Sequence, residues 1–260
     1  MTARVSIGVA GTLGPEAVAR LAPAVEAAGF AALWVNDTPD GDALAALAAA
    51  AEVTDRLILA TGAIPVDRRS AETIAREVLT AGIPQERLVL GIGSGVSPKG
   101  ALARVGEAVE ALRSELDARV VVGALGPKMR MLGAERADGV LLNWVPASAA
   151  AAQSAELHAA SADTRVCVYV RTAIDPAASD RLAAETARYA SYPNYAANFA
   201  RLGVDATQTT FRDEAELRER LPAYRAAVDE VVLRAITADD GVDALLDFVA
   251  RTAPDAGGGD

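Results

Sequence analysis

The chain is poor in the residues on which most metal and disulfide chemistry depends. Its 260 residues include one cysteine, Cys167, and one histidine, His158. A lone cysteine excludes an intrachain disulfide, and one histidine beside one cysteine cannot assemble a histidine–cysteine zinc site. No metal centre is expected. Lysine is nearly as scarce, with Lys99 and Lys128 alone. Long apolar runs are missing too: none reaches the roughly 18–20 residues that a membrane helix needs. The opening MTARVSIGVAG passes straight into a strand-like run, without the basic and long apolar regions of a signal peptide. Positive charge is outweighed: the formal net charge is −10, which repels nucleic acid and anionic membrane alike. The expectation is a cytoplasmic protein whose main partner is neither a membrane nor a nucleic acid.

What is present is a regular alternation. Half of the residues are hydrophobic, enough for a large core. Short β-rich runs begin at Val5 (VSIGVA), Ala32 (ALWVN), Leu57 (LILATGAI), Leu88 (LVLGIG), Ala118 (ARVVVGA), Gly139 (GVLLNW), Arg165 (RVCVYVRTAI) and Glu230 (EVVLRAI). Most successive starts are separated by the length of one strand, one helix and two short loops. Stripes such as Leu102, Val105, Val109, Leu112 and Leu116 recur at helical spacing between them. Runs such as VVV and LVL lack polar alternation, as expected of strands covered on both faces. Eight such strands suit a closed parallel barrel of the (β/α)8 type; an open doubly wound sheet shares the local signals. The last gap is long and contains three helical segments, ASDRLAAETARYA, NYAANFARLG and EAELRERLPAYRAAV, with Pro222 predicted to bend or break the third. We expect a single domain over residues 1–252 and a flexible tail over 253–260.

In a parallel barrel the chemistry sits where strands end and loops begin. The fourth strand ends in Gly91-Ile92-Gly93-Ser94-Gly95, where glycines let a ligand approach the backbone, or simply pack a turn. The pattern is not GxGxxG, so a dinucleotide site of the open-sheet type has little support. After the fifth strand, Leu125-Gly126-Pro127-Lys128-Met129 reads as a sharp turn into a helix. Free N–H groups and Lys128 there would attract phosphate, although an ordinary helix start reads the same way. In the seventh strand Val166, Val168 and Val170 share the helix-facing side, which leaves Cys167, Tyr169 and Arg171 pointing inward. Arg171, and Arg234 in the eighth strand, are either anion or substrate contacts or halves of structural ion pairs. Asn36 and Asp37 end the second strand and could orient a ligand, or Asp37 could cap a turn. Trp144, after Asn143, could wall a planar ligand or lid the core. His158 lies in a helical stretch far from any strand end and reads as a surface residue.

Read together, GFAALWVND, RLILATGAIPV, LVLGIGSG, GPKMRMLGAERADGVLLNW and DEVVLR resemble, in order and spacing, the bacterial luciferase-like oxidoreductases that use FMN or coenzyme F420. The similarity runs from Val5 to about Phe248. It implies a (β/α)8 barrel with the flavin or deazaflavin ring in its mouth, and either hydride transfer or monooxygenase chemistry. By motif, Gly62-Ala63 matches the place where many members have a non-proline cis peptide behind the ring. Gly93, Ser94 and Gly95 match the cofactor-facing loop. Leu125, Gly126, Pro127, Lys128 and Met129 match the phosphate-binding helix start, with Asn143 and Trp144 beside it. The GPKM–ADGVLLN wording is closer to the deazaflavin branch, with FMN as the alternative; homodimers are the family's habit. Two departures stand out. Thr38 follows Asp37 where many members have a histidine, so Asn36, Asp37 and Tyr169 are the remaining catalytic candidates by location. The stretch from Val96 to Asp117 is short where members often carry a long insertion. Besides an enzyme, a flavin-binding member without turnover is therefore open. A lysine-dependent aldolase or isomerase is disfavoured, because neither lysine falls late on a strand.

Overall fold

The computed structural model describes residues 3–254. Along the chain it contains β1 (Arg4–Ala10), α1 (Gly14–Ala27), β2 (Ala32–Asn36), α2 (Ala43–Ala51), β3 (Ile58–Thr61), β4 (Ile64–Pro65), α3 (Ala71–Ala81), β5 (Leu88–Gly93), α4 (Ala101–Glu115), β6 (Arg119–Ala124), α5 (Pro127–Arg136) and β7 (Gly139–Asn143). It continues with α6 (Ala147–Ala160), β8 (Arg165–Thr172), α7 (Ser179–Ser191), α8 (Pro193–Leu202), α9 (Glu214–Ala227), β9 (Glu230–Ala235) and α10 (Val242–Arg251).

All strand pairs are parallel. β3 and β4 are two pieces of one stave, since both pair with β5, through Leu59↔Leu88 and Ile64↔Ile92. β1 pairs with both β2 and β9, and β3 reaches β5, so the sheet closes on itself as an eight-stave barrel. This decides between the two architectures compatible with the sequence: an open sheet leaves two edges, and here none remains. The helices lie outside, as the apolar stripes require.

Side-chain alternation divides the core in two. Outward residues such as Ile7, Leu33, Leu59, Leu90, Val122, Val168 and Leu233 pack with the helices in one continuous cluster. Inward residues Trp34, Ala60, Val121, Leu141, Cys167, Tyr169 and Val232 form a second, smaller cluster along the axis. The assignment of Val166, Val168 and Val170 to the outer face and of Cys167 and Tyr169 to the inner one holds.

Local signals explain the helix starts. Asp42 accepts the Leu44 and Ala45 amides at the head of α2, Ser70 accepts Thr73 N on α3, and Asp213 accepts Glu216 N on α9. The break allowed at Pro222 does not occur. α9 runs unbroken through Pro222; a proline removes a single N–H bond, and the packing of Leu217, Tyr224 and Ala227 holds the turns on either side. Of the tail expected from residue 253, residues 255–260 lie outside the described residues. Among the described residues no helix is long and apolar enough to cross a membrane.

Candidate functional site

Inward positions late on the staves gather at one end of the barrel. They are Gly8 on β1, Asn36 on β2, Gly62 after β3, Gly93 on β5, Gly123 on β6, Asn143 on β7, Tyr169 and Arg171 on β8, and Arg234 on β9. The Gly62–Ala63 peptide is cis. The Ala63 methyl faces Gly93 and Gly123: a Cβ built at either glycine would lie 3.7 or 3.6 Å from it. Three staves therefore form a smooth wall whose side chains end at the first carbon.

Tyr169 projects across the interior. Its ring crowds Gly8 and Gly62, where an added Cβ would stand 3.0 and 2.7 Å from Oη. These two positions are glycine because the tyrosine takes their space. The ring also meets Trp34 edge-on, with centroids 6.0 Å apart. Tyr169 Oη is buried and has no hydrogen-bond partner among the described residues. Burial pushes its pKa upward, although Arg234 and Arg171 pull it back in part. At neutral pH the hydroxyl is a protonated donor awaiting an acceptor.

Two asparagine–arginine pairs flank it. Arg234 Nε donates to Asn36 Oδ1 at 3.0 Å, and Asn36 Nδ2 donates to the Gly62 carbonyl, next to the cis bond. Arg171 donates to Asn143 Oδ1 and, through Nε, to Glu185 Oε1 at 3.0 Å. Burial opposes the charge on Glu185, but Arg171 and Arg234 outweigh it and hold the carboxyl below its ordinary range. The ion-pair reading of Arg171 is thus met by Glu185, while Arg234 makes its contacts with Asn36 and its own chain at Ala235.

Over this end lies an aromatic cover, of which only Trp144 was legible in the sequence. Arg171 sits 4.3 Å from the Trp144 ring and 4.8 Å from Tyr189. Tyr189, Tyr192 and Tyr195 pack against one another, and Phe199 meets Trp144 edge-on. Burial raises the Tyr195 hydroxyl to a pKa of about 12. The three tyrosines recur every third residue from the end of α7 into α8, a spacing that could have revealed them. Trp144 is fully buried, adopts positive φ of 55°, and leaves Nε1 without a partner.

The two loops differ in occupancy. After β5, Gly95 has φ 71° and stands where a Cβ would overlap the Asp67 carboxylate, which accepts Val96 N at 2.9 Å and Ser97 N at 3.1 Å. Arg104 binds the carbonyls of Ser94, Ser97 and Lys99. Ser94 Oγ finds only the neighbouring Gly95 carbonyl, at 3.4 Å. After β6, the head of α5 has no side-chain cap, and nothing lies within 4 Å of a Cβ added at Gly126. Arg201 of α8 and Arg130 donate to the Leu125 carbonyl at 2.7 and 3.2 Å, which brings positive charge to this helix start. Lys128 and Met129 occupy its first turn, with Lys128 exposed.

Asp37 is buried in a structural role: it accepts the Ala43 amide at 3.3 Å and pairs with Arg68 and Arg69. His158 lies on α6, half-exposed, 3.1 Å from Asp229, which precedes β9 at the opposite end of the barrel.

Residues 2–117 match the sequence family of luciferase-like monooxygenases. Among solved structures, a coenzyme F420-dependent tetrahydromethanopterin reductase from Methanopyrus kandleri superposes with a TM-score of 0.74 at 15% identity, covering 97% of this chain and 98% of that one. The chain shares the barrel fold of these enzymes. An F420-dependent secondary alcohol dehydrogenase in complex with an F420–acetone adduct superposes with the same TM-score of 0.74, at 15% identity, over 98% of this chain and all of the other. An EDTA monooxygenase from Chelativorans sp. BNC1 gives 0.65 at 13% identity, over 96% and 94% of the two chains. No curated protein sequence matches significantly. The barrel thus has F420-dependent enzymes and monooxygenases as structural neighbours, and over residues 2–117 the family match bears out the resemblance read from the sequence motifs.

Proposed function

We propose that this protein is an oxidoreductase that transfers hydride between the deazaflavin coenzyme F420 and a small organic substrate. One juxtaposition carries the reading: the uncapped head of α5 opens at the same barrel end as the Ala63–Gly93–Gly123 wall and the partnerless Tyr169 hydroxyl. The fit to the group is chemical. A phosphate meets free amides and the nearby Arg201, Arg130 and Lys128. A planar ring meets a surface without side chains beyond one methyl, and its polar edge meets a buried donor in need of an acceptor. When bound, the deazaflavin supplies the hydride chemistry itself.

The chain supplies position and a dry surround. Asn36 holds the Gly62 carbonyl, and Arg234 fixes which way its amide faces. Tyr169 Oη donates a hydrogen bond and, protonated at working pH, does not act as a base. Arg171 keeps a fixed cation under the aromatic cover, where it favours a substrate or cofactor group that becomes more negative during transfer. Asp37 is committed to Arg68 and Arg69, so proton transfer by it is not part of the reading. The barrel is proposed to act as one unit over residues 1–252, on a small-molecule substrate and in the cytoplasm. A homodimer is part of the same proposal.

FMN is the second reading, favoured by the monooxygenases among the structural neighbours. Binding without turnover is a third, favoured by Thr38 beside the committed Asp37. Separate fluorescence titrations with the deazaflavin and FMN, followed by reduction of whichever binds, decide among the three. Saturable binding of the deazaflavin with hydride exchange to a substrate supports the proposal. Binding of neither cofactor overturns it and leaves the barrel intact.

A further inference from the structure

The opposite end of the barrel holds a second constellation, which the redox site does not use. The first inward residues of four staves are Arg4 on β1, Arg119 on β6, Arg165 on β8 and Glu230 on β9, and they ring a hollow floored by Trp34 and Cys167. Its apolar sides include Ile58 and Val89. The space is partly enclosed, with room for little more than a single small ion.

Charge in this ring does not balance. Glu230 is buried, and its Oε1 already accepts Ser6 Oγ and Trp34 Nε1, each at 2.8 Å. Its Oε2 stands 3.6 Å from Arg165 Nε, too far for a hydrogen bond, and that Nε is buried without a partner. Asp138, on the rim, is taken by Arg113 at 3.3 Å and by the Val120 amide at 2.7 Å. Among the described residues neither Arg4 nor Arg119 has a carboxylate within salt-bridge reach, so of the three guanidinium groups only that of Arg165 faces Glu230 closely. Partial burial of the guanidinium, with Arg165 next, pulls the Arg4 pKa down. An arginine nevertheless stays charged in proteins, so deprotonation gives no relief. A counter-ion does.

We propose that this hollow binds a small monovalent anion of halide size, with chloride as the abundant candidate. The dimensions argue against phosphate or a nucleotide, and the Glu230 carboxylate repels any ligand of higher charge. An anion seated here bridges β1, β6 and β8, three staves that do not all adjoin. It ties the amino-terminal end of the barrel much as side-chain pairs tie the other.

The test uses the full-length protein. Chloride binding is read from 35Cl line broadening, and from thermal unfolding in sodium chloride against sodium isethionate at equal ionic strength; isethionate is too large for the space. Crystals soaked in sodium bromide provide an anomalous map. We expect saturable broadening, a Tm that rises with chloride but not with isethionate, and a bromide peak among the three guanidiniums. Arg4→Gln and Arg119→Gln each weaken chloride binding at least tenfold. Arg4 is exposed and Arg119 half-buried, so both variants are expected to fold; should one fail, the other and the bromide map decide. A hollow empty of bromide, or broadening unchanged in the variants, overturns the proposal. Cofactor titrations do not enter this experiment, so it stands apart from the redox reading.

Discussion

At Gly62 the backbone lies so close to Tyr169 that a methyl group would sit 2.7 Å from Oη and 3.0 Å from the ring. Gly62→Ala is therefore an overpacking substitution, expected to lose about 1–3 kcal/mol in urea unfolding. Removing the hydroxyl is a different matter. Tyr169 Oη has no partner to lose, so Tyr169→Phe leaves stability unchanged or slightly raised, because an unsatisfied buried hydroxyl has gone. If the proposed ring edge is its acceptor, the same variant weakens deazaflavin binding about threefold to thirtyfold, the worth of one hydrogen bond to a polar edge. Stability held with affinity lost separates a ligand contact from a packing role. Equal affinity in Tyr169→Phe removes Tyr169 from the site. Glu185 offers a pH signature. Its folded pKa is depressed below the ordinary 4.5, so its contribution is fully present above that value and drains away as pH falls through the folded pKa. Glu185→Gln strips the nearly buried Arg171 of its carboxylate and is expected to lose about 3 kcal/mol near pH 7. That deficit relative to wild type shrinks as unfolding is repeated at pH values falling below 4.5. A deficit unchanged across the acid range removes this ion pair as its source.

The elements differ in how legible they were. All eight staves were readable from apolar runs, because parallel strands covered on both sides must be apolar over several residues. The helices after β8 were readable from their periodicity. Both signals are local, and the details that failed depend on contacts between distant parts of the chain. Pro222 looks like a breaker in sequence, yet tertiary packing carries α9 across it. The split of the third stave into β3 and β4 left no mark on its apolar run, which reads as one strand. The partners of Arg171 were invisible, since Glu185 and Tyr189 arrive from another element. Asp37 read as either a rim ligand or a turn cap; its contact with the Ala43 amide fits the second, and nothing nearby in sequence announces Arg68 and Arg69 as its counter-charges. The head of α5 was readable, and it supports a test with two readouts of opposite sign. Gly126 has φ −90° and ψ 155°, open to any residue, with free space around its Cα. Gly126→Asp supplies a capping carboxylate and should raise stability by a few tenths of a kcal/mol. The same carboxylate repels a cofactor phosphate, so the dissociation constant should rise about tenfold or more. An unchanged constant would displace the proposed phosphate position from α5.

For the whole molecule, the two ends of the barrel solve opposite problems with the same alternation. At the carboxyl end four of the nine inward positions named above are glycine, which leaves a wall for a ligand. At the amino end three of them are arginines, Arg4, Arg119 and Arg165, inside a chain whose formal net charge is −10. Glu230 connects the staves there: it joins Ser6 of β1, Trp34 of β2 and Arg165 of β8 across the seam where β9 meets β1. Glu230→Gln isolates the charge from the hydrogen bonds, because the amide oxygen can still accept from Ser6 and Trp34. The three guanidiniums then face no carboxylate inside the hollow, and stability should fall by about 1–3 kcal/mol. This is less than a fully buried pair would lose, since the arginines reach solvent on one side. Chloride supplies a negative charge to the same place, so it should bind Glu230→Gln more tightly than wild type, and the stability deficit should narrow as chloride replaces isethionate at constant ionic strength. Urea unfolding at low and high chloride, with the m-value compared to confirm that the same surface is exposed, measures both effects together. A deficit identical in the two salts would mean that Glu230 stabilises the seam by itself and that no ion shares its work.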